Sequence, residues 1–379
     1  MKRRTAPRAP GLLRGLLWAL FDGAGAGTPA RLGLAARTAV ASLRHPADLR
    51  RWMAVAHEQV ALGLATHLPT EYLRAMSPYV HRGTGVPERV VQLIDHVDWL
   101  DTAFEPAALE RLAVGEPLVL TQLPAPPGYI YMRLQLQRAP AHSPEGELLL
   151  TLTALREPAT LDGPVTAAAL GLSRFRVGGK PCLVIGGVRG LRDPLLRVST
   201  TGLDHALNGW KPGVLMVRVA QELARVWELP LVGLDPRAHR LHGWRYRWRT
   251  QHRRAAERIH GSYRALWNHF AGRPGPPGWV VLPSHLDEKL AATAASPERR
   301  ERQARRADYW IRLRNLLRLQ LRTLIKPPQA GDSQQSANSR SGPLTDPTVA
   351  LSTGFQPLFR DTSPALSARV AQTGPADLV

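Results

Sequence analysis

The chain has a single cysteine, Cys182, in 379 residues, which excludes a disulfide framework and any cysteine-ligated zinc site. It also lacks a run of about 18 apolar residues, so no transmembrane helix is expected. The zinc-protease spacing HExxH, the phosphate-loop lysine motif and the dinucleotide glycine fingerprint do not occur. Acids are scarce: 30 Asp and Glu face 50 Lys and Arg, a net charge of +20. Such an excess points to an anionic partner, whether an acidic membrane surface, another polyanion or nucleic acid. The hydrophobic share of 44% is ample for a large core.

The N-terminus carries Lys2, Arg3, Arg4 and Arg8 ahead of an apolar stretch, Gly11–Phe21, that Arg14 interrupts. A secretory signal wants that stretch unbroken, so residues 1–42 are expected to form an arm, loose or amphipathic. Leu32, Ala35, Ala36 and Ala39 keep helical spacing. Pro46 opens a second helix reaching Leu68, Glu88 to Asp101 reads as a third, and Pro106 to about Gly115 as a fourth. After Pro117 the texture changes. Leu118–Leu123, Tyr129–Arg138 and Glu147–Arg156 read as strands, followed by Leu172–Val177 and Pro181–Ile185 joined by Gly178-Gly179. Sequential hairpins imply a mostly antiparallel sheet, with the helices after it covering one face. The expected class is α+β: N-terminal helices over 43–116, a sheet-and-helix core over 117–240, and a basic helical extension over 241–326. Residues 327–379, rich in Ser, Gly, Pro and Thr, are expected to be a disordered tail.

The basic extension concentrates the charge, with 20 Lys or Arg and 6 Asp or Glu between Arg240 and Lys326. One run, Trp244 to Arg254, alternates rings and guanidiniums; as a strand it would align Trp244, Tyr246 and Trp248 on one face and Arg245, Arg247 and Arg249 on the other. Together with Arg253 and Arg254 these are the first candidates for an anion-binding row. The second set is Arg314, Arg318 and Arg322, on a helix from Ser296 to about Ile325 whose Trp310, Leu313, Leu317, Leu321 and Leu324 face inward.

A third candidate follows the buried strand at Ile185. In Gly186-Gly187-Val188-Arg189-Gly190 a glycine turn would present the backbone N–H groups of Gly187, Val188, Arg189 and Gly190 to a phosphate, with Arg192 adding charge. The alternative is a turn that needs only positive φ. The thirteen histidines show no metal-ligand spacing. Cys182 and the serines lack the neighbours a nucleophile requires.

Blocks along residues 40 to 320 resemble the VirK/YbjX family. They are His45-Pro46, the Tyr79 region, Glu88-Arg89, Leu93-Ile94-Asp95-His96, Leu183 to Gly190, Gly209-Trp210-Lys211-Pro212 with Ala220 and Leu223 behind it, Ser262-Tyr263-Arg264-Ala265-Leu266-Trp267, and Arg305-Arg306-Ala307-Asp308-Tyr309. The chain departs from the family pattern with Arg189 for the common Gln, and with Arg264 and His269 where acids are usual. The resemblance implies a role in virulence and envelope homeostasis, including antimicrobial-peptide resistance. It also implies a cytoplasmic protein, peripheral on the inner membrane, and it leaves enzymatic activity open. The element order is also similar to the GNAT acyltransferase plan. That likeness implies acyl-CoA as a ligand, with Val188, Arg189, Gly190 and Arg192 at its pyrophosphate. Nucleic-acid binding is a further reading, supported by charge but by no recognition motif.

Overall fold

Apolar side chains at three- and four-residue spacing make the first third helical, and alternation takes over where the sheet begins. In this computed structural model the described residues are 12–21, 28–65, 67–76, 79–140, 143, 145–156, 164–190, 200–242, 261–284 and 296–326. They fall within one compact unit, Met1–Pro328; a second unit, Gln329–Val379, which holds most of the expected tail, lies outside the described residues, as do residues 327 and 328.

Six helices come first: α1 (Leu12–Phe21), α2 (Thr28–Arg44), α3 (Pro46–Ala61), α4 (Leu68–Arg74), α5 (Val86–Ala103) and α6 (Pro106–Ala113). Helices α3 to α6 each carry proline in the first two positions, where a missing N–H costs nothing. The one helix expected from Pro46 to Leu68 is two. Gly63, at φ +71°, turns the chain after α3, and α4 starts afresh at Leu68. The Trp52 indole N–H donates to the carbonyls of Glu71 and Tyr72 and clips the two together. Leu49, Met53, Tyr72, Leu93 and Ile94 close a core of their own around it.

The eight strands are β1 (Leu118–Leu123), β2 (Tyr129–Arg138), β3 (Leu148–Arg156), β4 (Val165–Val177), β5 (Lys180–Arg189), β6 (Leu231–Leu234), β7 (Arg273–Pro274) and β8 (Trp279–Leu282). They form one sheet in the order β1-β2-β3-β4-β5-β6-β8-β7. Every neighbouring pair is antiparallel except β5 and β6. The α+β class and the mostly antiparallel sheet are as expected. The β4–β5 hairpin turns on Gly178 and Gly179, both at positive φ.

Among the described residues four further helices follow: α7 (Thr200–Ala206), α8 (Pro212–Val226), α9 (261–269) and α10 (Pro297–Leu324). Leu215, Val219 and Leu223 of α8 share one core with Leu172, Leu183 and Ile185 of the sheet, and Trp310, Leu317 and Leu321 of α10 join it. Phe175, Cys182, Val184 and Val232 point to the opposite face, under Tyr79. Cys182 is buried and burial pushes its thiol up, the setting of an inert core cysteine.

Ionic contacts tie the helical third to the sheet. Arg74 of α4 is 2.6 Å from Glu147 and 2.9 Å from Glu71, and Arg138 of β2 lies 3.8 Å from Glu71. Beside them the Tyr79 and Ser173 hydroxyls are hydrogen-bonded at 2.9 Å, and the Glu147 N–H donates to Ser173. Strand β4 outruns β3, whose pairing ends at Leu148↔Leu172. At Arg174 the unpaired N–H donates to Nδ1 of His96 on α5, and Asp95 pairs with Arg174 and Arg176.

Candidate functional site

At the parallel pair β5–β6 the sheet opens. The two strands are in register over Leu183–Ile185 and Leu231–Gly233, and there the pairing stops. Strand β5 continues to Arg189, held on its other edge by β4, with an irregularity at Gly186 where the register slips. Among the described residues no strand pairs with the β6 side of β5 beyond Ile185. A parting of parallel strands at their C-terminal ends is where open sheets take ligands.

The run Gly186 to Arg189 is therefore strand, not the turn expected from its glycines. The reason is a close approach by Glu145. A Cβ on Gly186 would stand 2.3 Å from the Glu145 carbonyl oxygen, and one on Gly187 2.5 Å from its carboxylate. Glu145 in turn accepts from Arg189 Nε at 2.6 Å.

Among the described residues Tyr263 meets the freed edge. The Val188 N–H donates to the Tyr263 hydroxyl at 2.8 Å. Tyr263 stands on α9, 3% exposed, and its hydroxyl is held well above its usual value, by burial first and then by the charge of Glu145. The phenol keeps its proton, and because its oxygen accepts from Val188 that proton is not spent on this bond. One turn along α9, the Trp267 indole donates to the Leu234 carbonyl at 2.9 Å and lies over Gly233. A Cβ at Gly233 would meet the ring at 2.7 Å. Gly233→Val should cost about 1–3 kcal/mol by overpacking and displace α9 with Tyr263. Urea unfolding checks the first effect and loss of ligand-induced stabilisation the second; a valine variant as stable as the parent would contradict this reading of the contact.

The start of α8 faces the same opening. A Cβ on Gly213 would come within 3.8 Å of the Val188 side chain. The helix opens Lys211-Pro212-Gly213, and among the described residues no side chain caps it; a helix start of this kind favours an anion. Cations gather there. Arg218 lies over the rings of Trp210 and Trp310, and Trp210 donates to the Arg306 carbonyl. Burial, then the charges of Arg218, Lys211 and Arg306, push His269 of α9 down. The other side of α9 borders an open cleft of about 510 Å³, lined by Arg237, Arg264, Trp267 and Trp279.

Of the candidates from sequence, Gly187, Val188 and Arg189 lie in β5 and Gly190 just beyond it, exposed. Arg189 is engaged by Glu145. Arg192, Arg245, Arg247, Arg249, Arg253 and Arg254 lie outside the described residues. On α10, Arg318 pairs with Glu222 at 3.2 Å, Arg314 is half-buried and Arg322 is exposed. In the sequence Tyr263 and Lys211 stand out only as members of family-like blocks, and nothing local marks Glu145. Among the described residues no three His, Cys, Asp or Glu side chains come together as metal ligands.

A family model described as a protein of unknown function, DUF535, matches residues 31–307. No curated protein and no solved structure matches the chain.

Proposed function

We propose a function for a chain that belongs to the DUF535 family of proteins of unknown function: it is an acyltransferase that draws its acyl group from a phosphate-bearing thioester carrier of the acyl-CoA type. The observation that carries this reading is the parting of β5 and β6 beside a helix start that no described side chain caps. An extended chain bearing amides can add to the free edge of β5 as a strand would. Its phosphates then meet the first N–H groups of α8 and the nearby Lys211, Arg218 and Arg306. The strand order, with its single parallel pair, supports the GNAT-like plan inferred from the element order.

The residues at the opening suit acyl transfer. In this reading the Val188 N–H turns from Tyr263 to the thioester oxygen and stabilises the oxyanion formed on attack. Glu145 takes the proton of the attacking group. As the C–S bond breaks, Tyr263 gives its proton to the departing sulfur. The VirK/YbjX family and the DUF535 family are one, and the envelope and virulence roles that the resemblance implies agree with such a reaction without requiring it. Acyl-CoA is a cytoplasmic metabolite, which fits a cytoplasmic location. The membrane and nucleic-acid readings built on Arg245 to Arg254 gain no support, since that run lies outside the described residues.

The test is thermal unfolding with acetyl-CoA and with medium- and long-chain acyl-CoAs, against ADP as a control without the amide arm. A carrier at about a hundred times its Kd adds about 2.7 kcal/mol, a rise of roughly 4 °C or more. Gly213→Glu, which sets a side chain and a negative charge at the helix start, should abolish the rise. No stabilisation by any carrier, or a rise that Gly213→Glu leaves intact, would overturn the proposal.

A further inference from the structure

Large apolar side chains stand exposed singly on most proteins and need no explanation; on α1 and α2 they form faces. Leu17 and Phe21 are 46% and 72% exposed and lie one turn apart on α1. Leu32, Val40 and Leu43, with Ala36 between them, repeat at four, four and three residues along α2, so they share one outward stripe. Elsewhere in the helical third the exposed large apolar residues Leu62, Val91 and Val114 are isolated. The inner sides of α1 and α2 are already satisfied, because Ala19, Ala35 and Ala41 belong to the core around Trp52. The outer stripe is surplus to folding.

Its charge is one-sided. Residues 1–47 contain eight Lys or Arg and one acid, Asp22. Exposed Arg14 and Arg44 flank the apolar residues on the two helices themselves. Neither helix is long and apolar enough to cross a membrane. An apolar stripe with basic flanks on a helix that cannot span is the pattern of a helix lying in the headgroup region.

We infer that the outer face of α1 and α2 docks on an anionic lipid bilayer. A second copy of the chain is the poorer occupant, because apposed faces would bring the exposed Arg14 and Arg44 of one copy against those of the other. An acidic leaflet supplies both the apolar phase and the opposite charge. The surface is separate from the opening between β5 and β6, and its occupancy does not depend on the acyl-carrier reading.

The experiment is sedimentation of the full chain with vesicles of phosphatidylcholine, with and without a quarter phosphatidylglycerol, in low and in about 0.5 M salt. Binding is expected to the anionic vesicles only, and to weaken at high salt. The triple variant Leu32→Glu, Val40→Glu, Leu43→Glu should bind at least about tenfold more weakly. Its melting temperature and its stabilisation by acyl-CoA should stay unchanged, since the three positions are exposed. Arg312→Glu on α10, where Ile311, Leu316 and Leu319 are also exposed, should retain vesicle binding. Equal binding to neutral vesicles, an unaffected triple variant, a loss confined to Arg312→Glu, or a dimer in light scattering that the triple variant dissolves would each overturn the inference.

Discussion

Replacing Arg74 by methionine is expected to cost about 3–5 kcal/mol of stability, the largest effect of any single substitution considered. Arg74 is 6% exposed and meets both Glu147 and Glu71, which are equally enclosed. Burial works against its charge, and the two carboxylates more than offset that, holding the guanidinium further up. Removing it takes from two buried carboxylates the guanidinium they share, with Arg138 3.8 Å from Glu71 and the Tyr79 side chain hydrogen-bonded to Glu147 as weaker company. The pair also joins α4 to the start of β3, so its loss loosens the helical third from the sheet. The double variant Arg74→Met, Glu147→Leu should lose less than Arg74→Met alone, since it removes the Glu147 carboxylate together with the guanidinium that answers it. Urea denaturation of the three proteins measures this. A loss below about 1 kcal/mol for Arg74→Met would show that the network is not closed to water.

Acid should destabilise the fold before carboxylates in general are titrated. His239, 1% exposed, is pushed down to about 4 by burial first, then by Arg240 and His242. Its unfolded value is about 6.5. The unfolded chain therefore binds a proton that the folded chain refuses, so its contribution is complete above about pH 6.5 and is lost as pH falls toward 4, about 3 kcal/mol in all. His96 acts in the same direction. Burial, then Arg74, Arg138 and Arg174, hold it well below its usual value, and its Nδ1 accepts from Arg174 as a neutral ring must. Urea midpoints followed from pH 7 to pH 4.5 should fall steadily. His239→Asn, whose amide oxygen can still accept from Leu241, should flatten the slope by up to one proton, about 1.4 kcal/mol per pH unit. A stability independent of pH down to 5 would contradict the neutral-histidine account.

Local pattern sufficed where structure is local. Strands β1 and β2 carry the boundaries read from alternation, Leu118–Leu123 and Tyr129–Arg138, and the inward stripe of α10 from Trp310 to Leu324 follows its spacing. The glycines at 186 and 187 were misleading for a physical reason. Glycine marks both a turn and a close approach, and only the fold brings Glu145 against β5 to decide between them. The Arg74–Glu147 pair was invisible for the same reason, since nothing in either residue's neighbours marks it as buried. The opening itself depends on how far β6 runs beside β5. Leu231–Leu234 is too short a segment to reveal that from its composition.

Hydrogen exchange at the amides of Val188 in β5 and of Gly190 just beyond it tests most directly whether the freed edge receives a carrier. With saturating acyl-CoA these amides should exchange at least about tenfold more slowly, with the first amides of α8 at Val214 and Gly213 slowing alongside, as a bound chain and its phosphates take them up. Unchanged exchange at Val188 and Gly190 while the carrier is demonstrably bound would place the carrier elsewhere on the molecule and contradict the account.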